Sequence, residues 1–192
     1  MASILVLDNY DSFTYNLVHY IRKYGKHKLE VFRNDEISVD EVSRFDGIVL
    51  SPGPGIPSEA GNLLPIINRY KDSKRIFGVC LGQQAIAESF GGQLVNITTV
   101  YHGVATKMTI QQPTHYLFDE LPLEFMAGRY HSWVVDPNTL PTCLKVDALD
   151  ENEQIMAVSH KEFDICGVQF HPESILTPFG KQIINNWLDR FN

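Results

Sequence analysis

The sequence predicts an open α/β sheet, mixed but mainly parallel, with helices on both faces. Three observations lead there. Short, wholly apolar runs recur through the first half: Ile4–Leu7, Gly47–Leu50 and Ile76–Val79. Each ends in a turn signal, and segments of helical spacing lie between them. Strands apolar at every position are covered on both faces, which marks βαβ units rather than a half-solvated antiparallel sheet.

The elements follow in order. Ile4–Leu7 stops at Asp8-Asn9, and Ser12 stands where a helix N-cap would. Phe13, Leu17, Val18 and Ile21 follow at helical spacing until Gly25, a helix stop. Asp8 and Asp11 suit the positive end of that helix. Leu29–Phe32 reads as the second strand, and Val39, Val42 and Phe45 as one face of a short helix. Gly47–Leu50 runs into Ser51-Pro52-Gly53-Pro54-Gly55-Ile56-Pro57, which its prolines confine to loop. Ala60–Tyr70 is expected to be helical, Ile76–Val79 a fourth strand, and Gln83–Phe90 a helix closing at Gly91-Gly92.

Beyond that point the pattern changes. Gln93–Ile110, Leu144–Ala148, Gln154–Ser159 and Ile165–Phe170 are strand-like with tight turns, which predicts an antiparallel extension of the sheet. The acidic stretch Asp147–Glu153 reads as a solvated turn. The last helix is expected over Phe179–Phe191, with Ile183, Ile184, Trp187 and Leu188 facing inward. No repeat or linker interrupts the chain, so one domain over residues 1–192 is expected.

Composition excludes several classes. A formal charge of −7 argues against a nucleic-acid surface, which needs clustered Lys and Arg. No apolar run approaches the roughly 18 residues of a membrane span, and no secretory leader opens the sequence. Three separated cysteines, Cys80, Cys143 and Cys166, favour a reducing cytoplasm over a disulfide framework. No Cys-x-x-Cys or His-x-x-x-His pair occurs, so neither a structural metal nor a cofactor is expected.

The chemistry concentrates at three places. Cys80, in Gly78-Val79-Cys80-Leu81-Gly82, ends an apolar strand where a helix begins, the layout of a nucleophile elbow with sulfur for oxygen. The flanking glycines permit a sharp turn and leave a substrate uncrowded. A helix start beside the sulfur favours the thiolate, and the Leu81 N–H would point towards a developing oxyanion. A buried packing cysteine is the alternative that this local pattern leaves open. His171-Pro172-Glu173 follows the last strand, and residues two apart in an extended segment share a side. Glu173 could thus orient His171 as a base for Cys80, though alone the pair also reads as a surface turn. The Pro52–Pro57 loop leaves a strand end at the same edge as Cys80, and the Gly53 N–H could complete the oxyanion hole. It lacks the Gly-Lys-Ser/Thr ending of a P-loop.

Ser51-Pro-Gly-Pro-Gly, Gly78-Val-Cys-Leu-Gly and Gln169-Phe-His-Pro-Glu-Ser together resemble the class I glutamine amidotransferases. The resemblance implies a triad of nucleophile Cys80, base His171 and orienting Glu173. It implies glutamine contacts at Gly53, Pro54, Gly55, Gln84, Ser132 and Trp133, the last two after Tyr130-His131. Asp8-Asn9-Tyr10-Asp11-Ser12-Phe13-Thr14 and Ser51–Gly61 look like one branch, the small subunits of anthranilate synthase and the closely similar ones of aminodeoxychorismate synthase. Gly55 after Pro54 leans towards the former, since folate-pathway relatives often carry Cys there. The implied substrate is L-glutamine, and the implied partner is a separate chorismate-binding synthase subunit that receives the ammonia. Two departures stand out: Gln83 where the family usually has His, and Val104 where many relatives have Lys or Arg.

Overall fold

The structure is a computed structural model and describes residues 1–192. Nine strands build its main sheet: β1 (Ser3–Asp8), β2 (Lys28–Arg33), β3 (Gly47–Leu50), β4 (Arg75–Val79), β6 (Val104–Ile110), β7 (Glu124–Arg129), β9 (Leu144–Asp150), β10 (Ile155–His160) and β11 (Ile165–Val168). Across the sheet their order is β2-β1-β3-β4-β11-β10-β9-β6-β7. From β2 to β11 all neighbours are parallel, and from β11 to β7 all are antiparallel. Two short strands, β5 (Leu94–Asn96) and β8 (Trp133–Val135), pair antiparallel outside this sheet. The predicted fold class is therefore the observed one.

Strand alternation divides the interior into two cores. Ile4 and Val6 of β1 join one, with Leu17, Val18 and Ile21 of helix α1 (Thr14–Tyr24) and Ile183, Ile184, Trp187 and Leu188 of helix α4 (Gly180–Leu188). Leu5 and Leu7 join the other, with helices α2 (Leu63–Tyr70) and α3 (Leu81–Ser89). Each fully buried Leu or Ile contributes about 1.5–3 kcal/mol over the exposed side chain. No helix is long and apolar enough to cross a membrane.

Several boundaries differ from expectation. Ser12 is exposed and does not cap α1. No side chain caps the helix; two carboxylates instead brace the turn before it, Asp11 Oδ1 accepting from the Phe13 N–H at 2.7 Å and Asp8 Oδ1 from the Thr14 hydroxyl at 2.8 Å. The Val39–Phe45 segment is a tight 3-10 turn over Asp40–Arg44. The helix expected from Ala60 begins at Leu63, because Pro57–Glu59 form a 3-10 turn and Gly61 takes φ +50°. Helix α3 starts at Leu81 rather than Gln83, directly after Cys80. The Gln93–Ile110 stretch is two strands parted by an irregular segment, and β7 and β8 were not foreseen. Asp147–Glu153 is a solvated turn only in its second half: Glu151, Asn152 and Glu153 are exposed at the turn, but β9 runs to Asp150, and Asp147 and Asp150 are buried.

Candidate active site

The carboxyl ends of β3, β4 and β11 lie side by side, and each delivers one of the singled-out segments to the same edge. Cys80 follows β4 with φ +52° and ψ −103°, a conformation that costs an L-residue of order 1–3 kcal/mol and persists only where surroundings enforce it. They do so by backbone contact. A Cβ on Gly78 would lie 2.5 Å from the Gly82 carbonyl carbon, and one on Gly82 would lie 2.5 Å from the Leu50 oxygen. The glycines beside Cys80 thus let α3 seat on the sheet; clearing room for a substrate is not what they do. The Cys80 N–H bonds to the Val168 carbonyl at 2.8 Å, which ties the turn to β11.

That tie sets what stands beside the sulfur. Val168 pairs with Val79, so the chain leaving β11 runs abreast of Cys80. Gln169, His171 and Glu173 are all buried along it, but beyond the end of β11: a turn closed by the Ser174 N–H to the His171 carbonyl at 3.2 Å, and not the expected extended segment, brings Glu173 to His171. Gln169 Nε2 donates to Cys80 Sγ at 3.5 Å. His171 Nδ1 meets Glu173 Oε1 at 2.7 Å, and His171 Nε2 is buried without a hydrogen bond of ordinary geometry. Burial alone would depress the imidazole. The charge of Glu173 and its hydrogen bond, with the neighbouring Cys80 sulfur, outweigh it and hold the ring well above the usual histidine value. The segment is pinned to β7 by the His171 N–H to the Gly128 carbonyl (2.9 Å) and by Thr177, whose hydroxyl accepts the Gly128 N–H (3.0 Å) and donates to the His171 carbonyl (2.7 Å). Tyr130 sets its ring edge-on to the imidazole at 4.8 Å, and Phe13 does so at 5.4 Å.

A cleft of about 260 Å³ opens over Cys80. Gly53, Pro54, Gly55, Gln84, Ser132 and Trp133 all line it, together with Val100, Tyr101, His102, Tyr130 and His131. Leu81 lies beneath the loop, its Cδ2 2.6 Å from where a Gly53 Cβ would be. Gly53 therefore lacks a side chain because Leu81 and Asn9 occupy the space, while Gly55 needs glycine for its φ of +70°. The loop is anchored through Ser51, whose Oγ accepts the Asn9 N–H at 2.8 Å and whose carbonyl accepts from Asn9 Nδ2 at 2.9 Å.

The cleft wall opposite the loop rests on a network that no local pattern announces. Arg129 is fully buried and donates to Asp150 at 2.6 Å, Gln154 at 2.6 Å and His131 Nε2 at 3.0 Å. His131 Nδ1 donates in turn to the Trp133 carbonyl at 3.0 Å. Burial and the Arg129 charge push His131 down to about 3, so it is neutral at ordinary pH. Sequence reasoning missed this network and Gln169.

This edge assigns the protein to a class: α/β enzymes that gather a cysteine, an imidazole and a glycine loop at the carboxyl ends of parallel strands. Comparison with known proteins narrows the class. Residues 5–191 match the family model Glutamine amidotransferase class-I, and the chain belongs to that family. It is 45% identical to the aminodeoxychorismate/anthranilate synthase component 2 of Bacillus subtilis, covering 98% of this chain and 96% of that one. It is 48% identical to the anthranilate synthase component 2 of Azospirillum brasilense (97% and 95% covered). It is 43% identical to the aminodeoxychorismate synthase component 2 of Escherichia coli (97% and 100%). Among solved structures, a protein assigned as a GMP synthase subunit from Thermoplasma acidophilum superimposes with a TM-score of 0.87 at 29% identity, covering 98% of this chain and 93% of that one.

Proposed function

We propose that Cys80, His171 and Glu173 form the triad by which this amidotransferase splits L-glutamine, and that the ammonia passes to a chorismate-binding synthase subunit. Cys80, whose proton has passed to His171, attacks the side-chain amide carbon as the thiolate, in keeping with a ring held above the usual histidine value. His171 then protonates the departing nitrogen, leaving ammonia and a γ-glutamyl thioester; water attacks the thioester and releases glutamate. Backbone N–H groups of Gly53 and Leu81 face the oxyanion, at roughly 3–4 kcal/mol per donor in comparable sites. The observation that carries this reading is the buried Glu173–His171 contact of 2.7 Å in a ring that also senses Cys80. It fixes the tautomer and leaves Nε2 for the sulfur.

The receiving reaction is anthranilate formation in this reading, supported by the relatives named anthranilate synthase component 2. A relative whose name carries both synthases favours a second reading, in which one subunit serves both partners. The test is to combine the chain with each synthase, chorismate and glutamine, and to identify the aromatic product. Cys80→Ala should abolish glutamine-dependent synthesis and leave ammonia-dependent synthesis intact. Equal loss of both would refute the donor role.

A further inference from the structure

A side-chain amide can turn either its NH2 or its oxygen to a neighbour, so its effect on a thiol depends on what fixes it. Here every choice is forced. The Trp133 carbonyl can only accept, so Gln84 must present its NH2, at 2.9 Å. The same NH2 reaches Gln169 Oε1 at 3.1 Å. That leaves the Gln169 NH2 for Cys80 Sγ at 3.5 Å. The opposite orientation would set two NH2 groups together and an amide oxygen against sulfur lone pairs.

The far end is equally constrained. Arg129 can only donate, so His131 Nε2 must accept and His131 Nδ1 must carry the proton given to the Trp133 carbonyl. Asp150 and Gln154 hold the guanidinium in place. Gln84, Gln169 and Cys80 are all buried, where a fixed dipole is felt more strongly than in water.

We propose that Gln169 is the residue that stabilises the ionised Cys80 sulfur and holds it for attack, with Gln84, His131 and Arg129 as positioning residues that keep its NH2 turned towards the sulfur. This rests on the reading of Cys80 as the nucleophile. An N–H aimed at a thiolate favours it over the thiol, and the donor is lost if the amide becomes a hydrocarbon. It also makes the cleft wall at Trp133 and the attacking sulfur parts of one hydrogen-bonded chain.

The experiment is the rate of Cys80 alkylation by iodoacetamide against pH, read by mass spectrometry of the Cys80 peptide in the full chain. In Gln169→Leu the midpoint of the curve should rise by about one unit. Glutamine turnover should fall about tenfold in kcat with little change in KM. Gln169→Met, unbranched and of similar length, gives the same two readouts if the leucine variant does not fold. An unshifted midpoint in a folded variant overturns the proposal, since a packing role would lower stability and leave the midpoint in place. Glutamine turnover surviving in Cys80→Ala would instead remove the nucleophile reading, and the alkylation result would be unaffected by it.

Discussion

The two halves of the sheet bury different things. In the parallel half the interiors of β1, β3, β4 and β11 are apolar, and buried polar groups such as Asp8, Asn9, Ser51, Gln169 and the His171–Glu173 pair stand at or beyond the carboxyl ends. In the antiparallel half a charged pair lies inside: Arg129 and Asp150 have side chains 0% and 1% exposed, 2.6 Å apart. The parallel half holds Cys80 by steric means, through backbone packed against Gly78 and Gly82. The antiparallel half holds the opposite cleft wall by electrostatic means, through donors and acceptors with no freedom to reverse. One arrangement fails by a clash; the other fails by leaving a charge alone.

The largest effect should come from leaving that charge alone. Asp150→Ala strips the buried Arg129 of its counter-ion, and breaking one side of a buried pair costs about 3–5 kcal/mol. Asp150→Asn keeps an acceptor and should cost less. Urea denaturation of both variants measures this. A loss below about 1 kcal/mol for Asp150→Ala would mean that the pair anchors nothing, and the contrast between the halves would fall.

Next in size is the response to pH, because each half buries one histidine and the two titrate oppositely. His131 sits at about 3 folded against an ordinary 6.5 unfolded. Below about 6.5 the unfolded chain takes up a proton that the folded one refuses, so stability falls as pH falls. Between pH 6.5 and 4.5 the loss should be about 2–3 kcal/mol, with the remainder lost on the way to the folded value. His171 is raised instead, so its contribution is constant below 6.5 and is lost only as pH rises through its folded value. Denaturation midpoints from pH 4.5 to 9 separate the windows. His131→Gln should remove most of the acid-side loss and leave the alkaline side as it is; what remains belongs to His115 and His160, which burial also lowers, and an acid limb of unchanged size would assign it away from His131.

The same contrast explains what the sequence made legible. Ile4–Leu7, Gly47–Leu50 and Ile76–Val79 are continuous apolar runs because helices cover both their faces, so β1, β3 and β4 could be read off directly. Strand β7 alternates exposed and buried positions at the sheet edge, and it carries Gly128 and Arg129, so no apolar run marks it. The acids at Asp147–Glu153 read as solvated because the guanidinium that receives Asp150 is 21 residues away in sequence. The positions of Cys80, His171 and Glu173 were legible because strand-end grammar is local. Gln169 was not, since its meaning depends on register between β4 and β11, across 89 residues.

The smallest effect should come from the carboxylate that braces the turn before α1, beside the Ser12 that caps nothing. Asp11 Oδ1 accepts the Phe13 N–H at 2.7 Å, half in solvent, so water can take the donor when the carboxylate is removed. Asp11→Ala should cost about 0.5–1 kcal/mol, the net worth of one part-exposed hydrogen bond. Ser12→Ala should cost almost nothing, because the exposed Ser12 takes no part in capping the helix. Thermal melts of the two variants make the comparison. Phe13, which the Asp11 carboxylate holds, lies 4.9 Å from Tyr130 and 5.4 Å from His171, so a loosened turn reaches the imidazole through ring packing. A cost for Asp11→Ala matching that of Asp150→Ala would mean that a half-exposed carboxylate at the sheet edge holds as strongly as the buried pair. The division between a sterically held sulfur and an electrostatically held wall would then be lost.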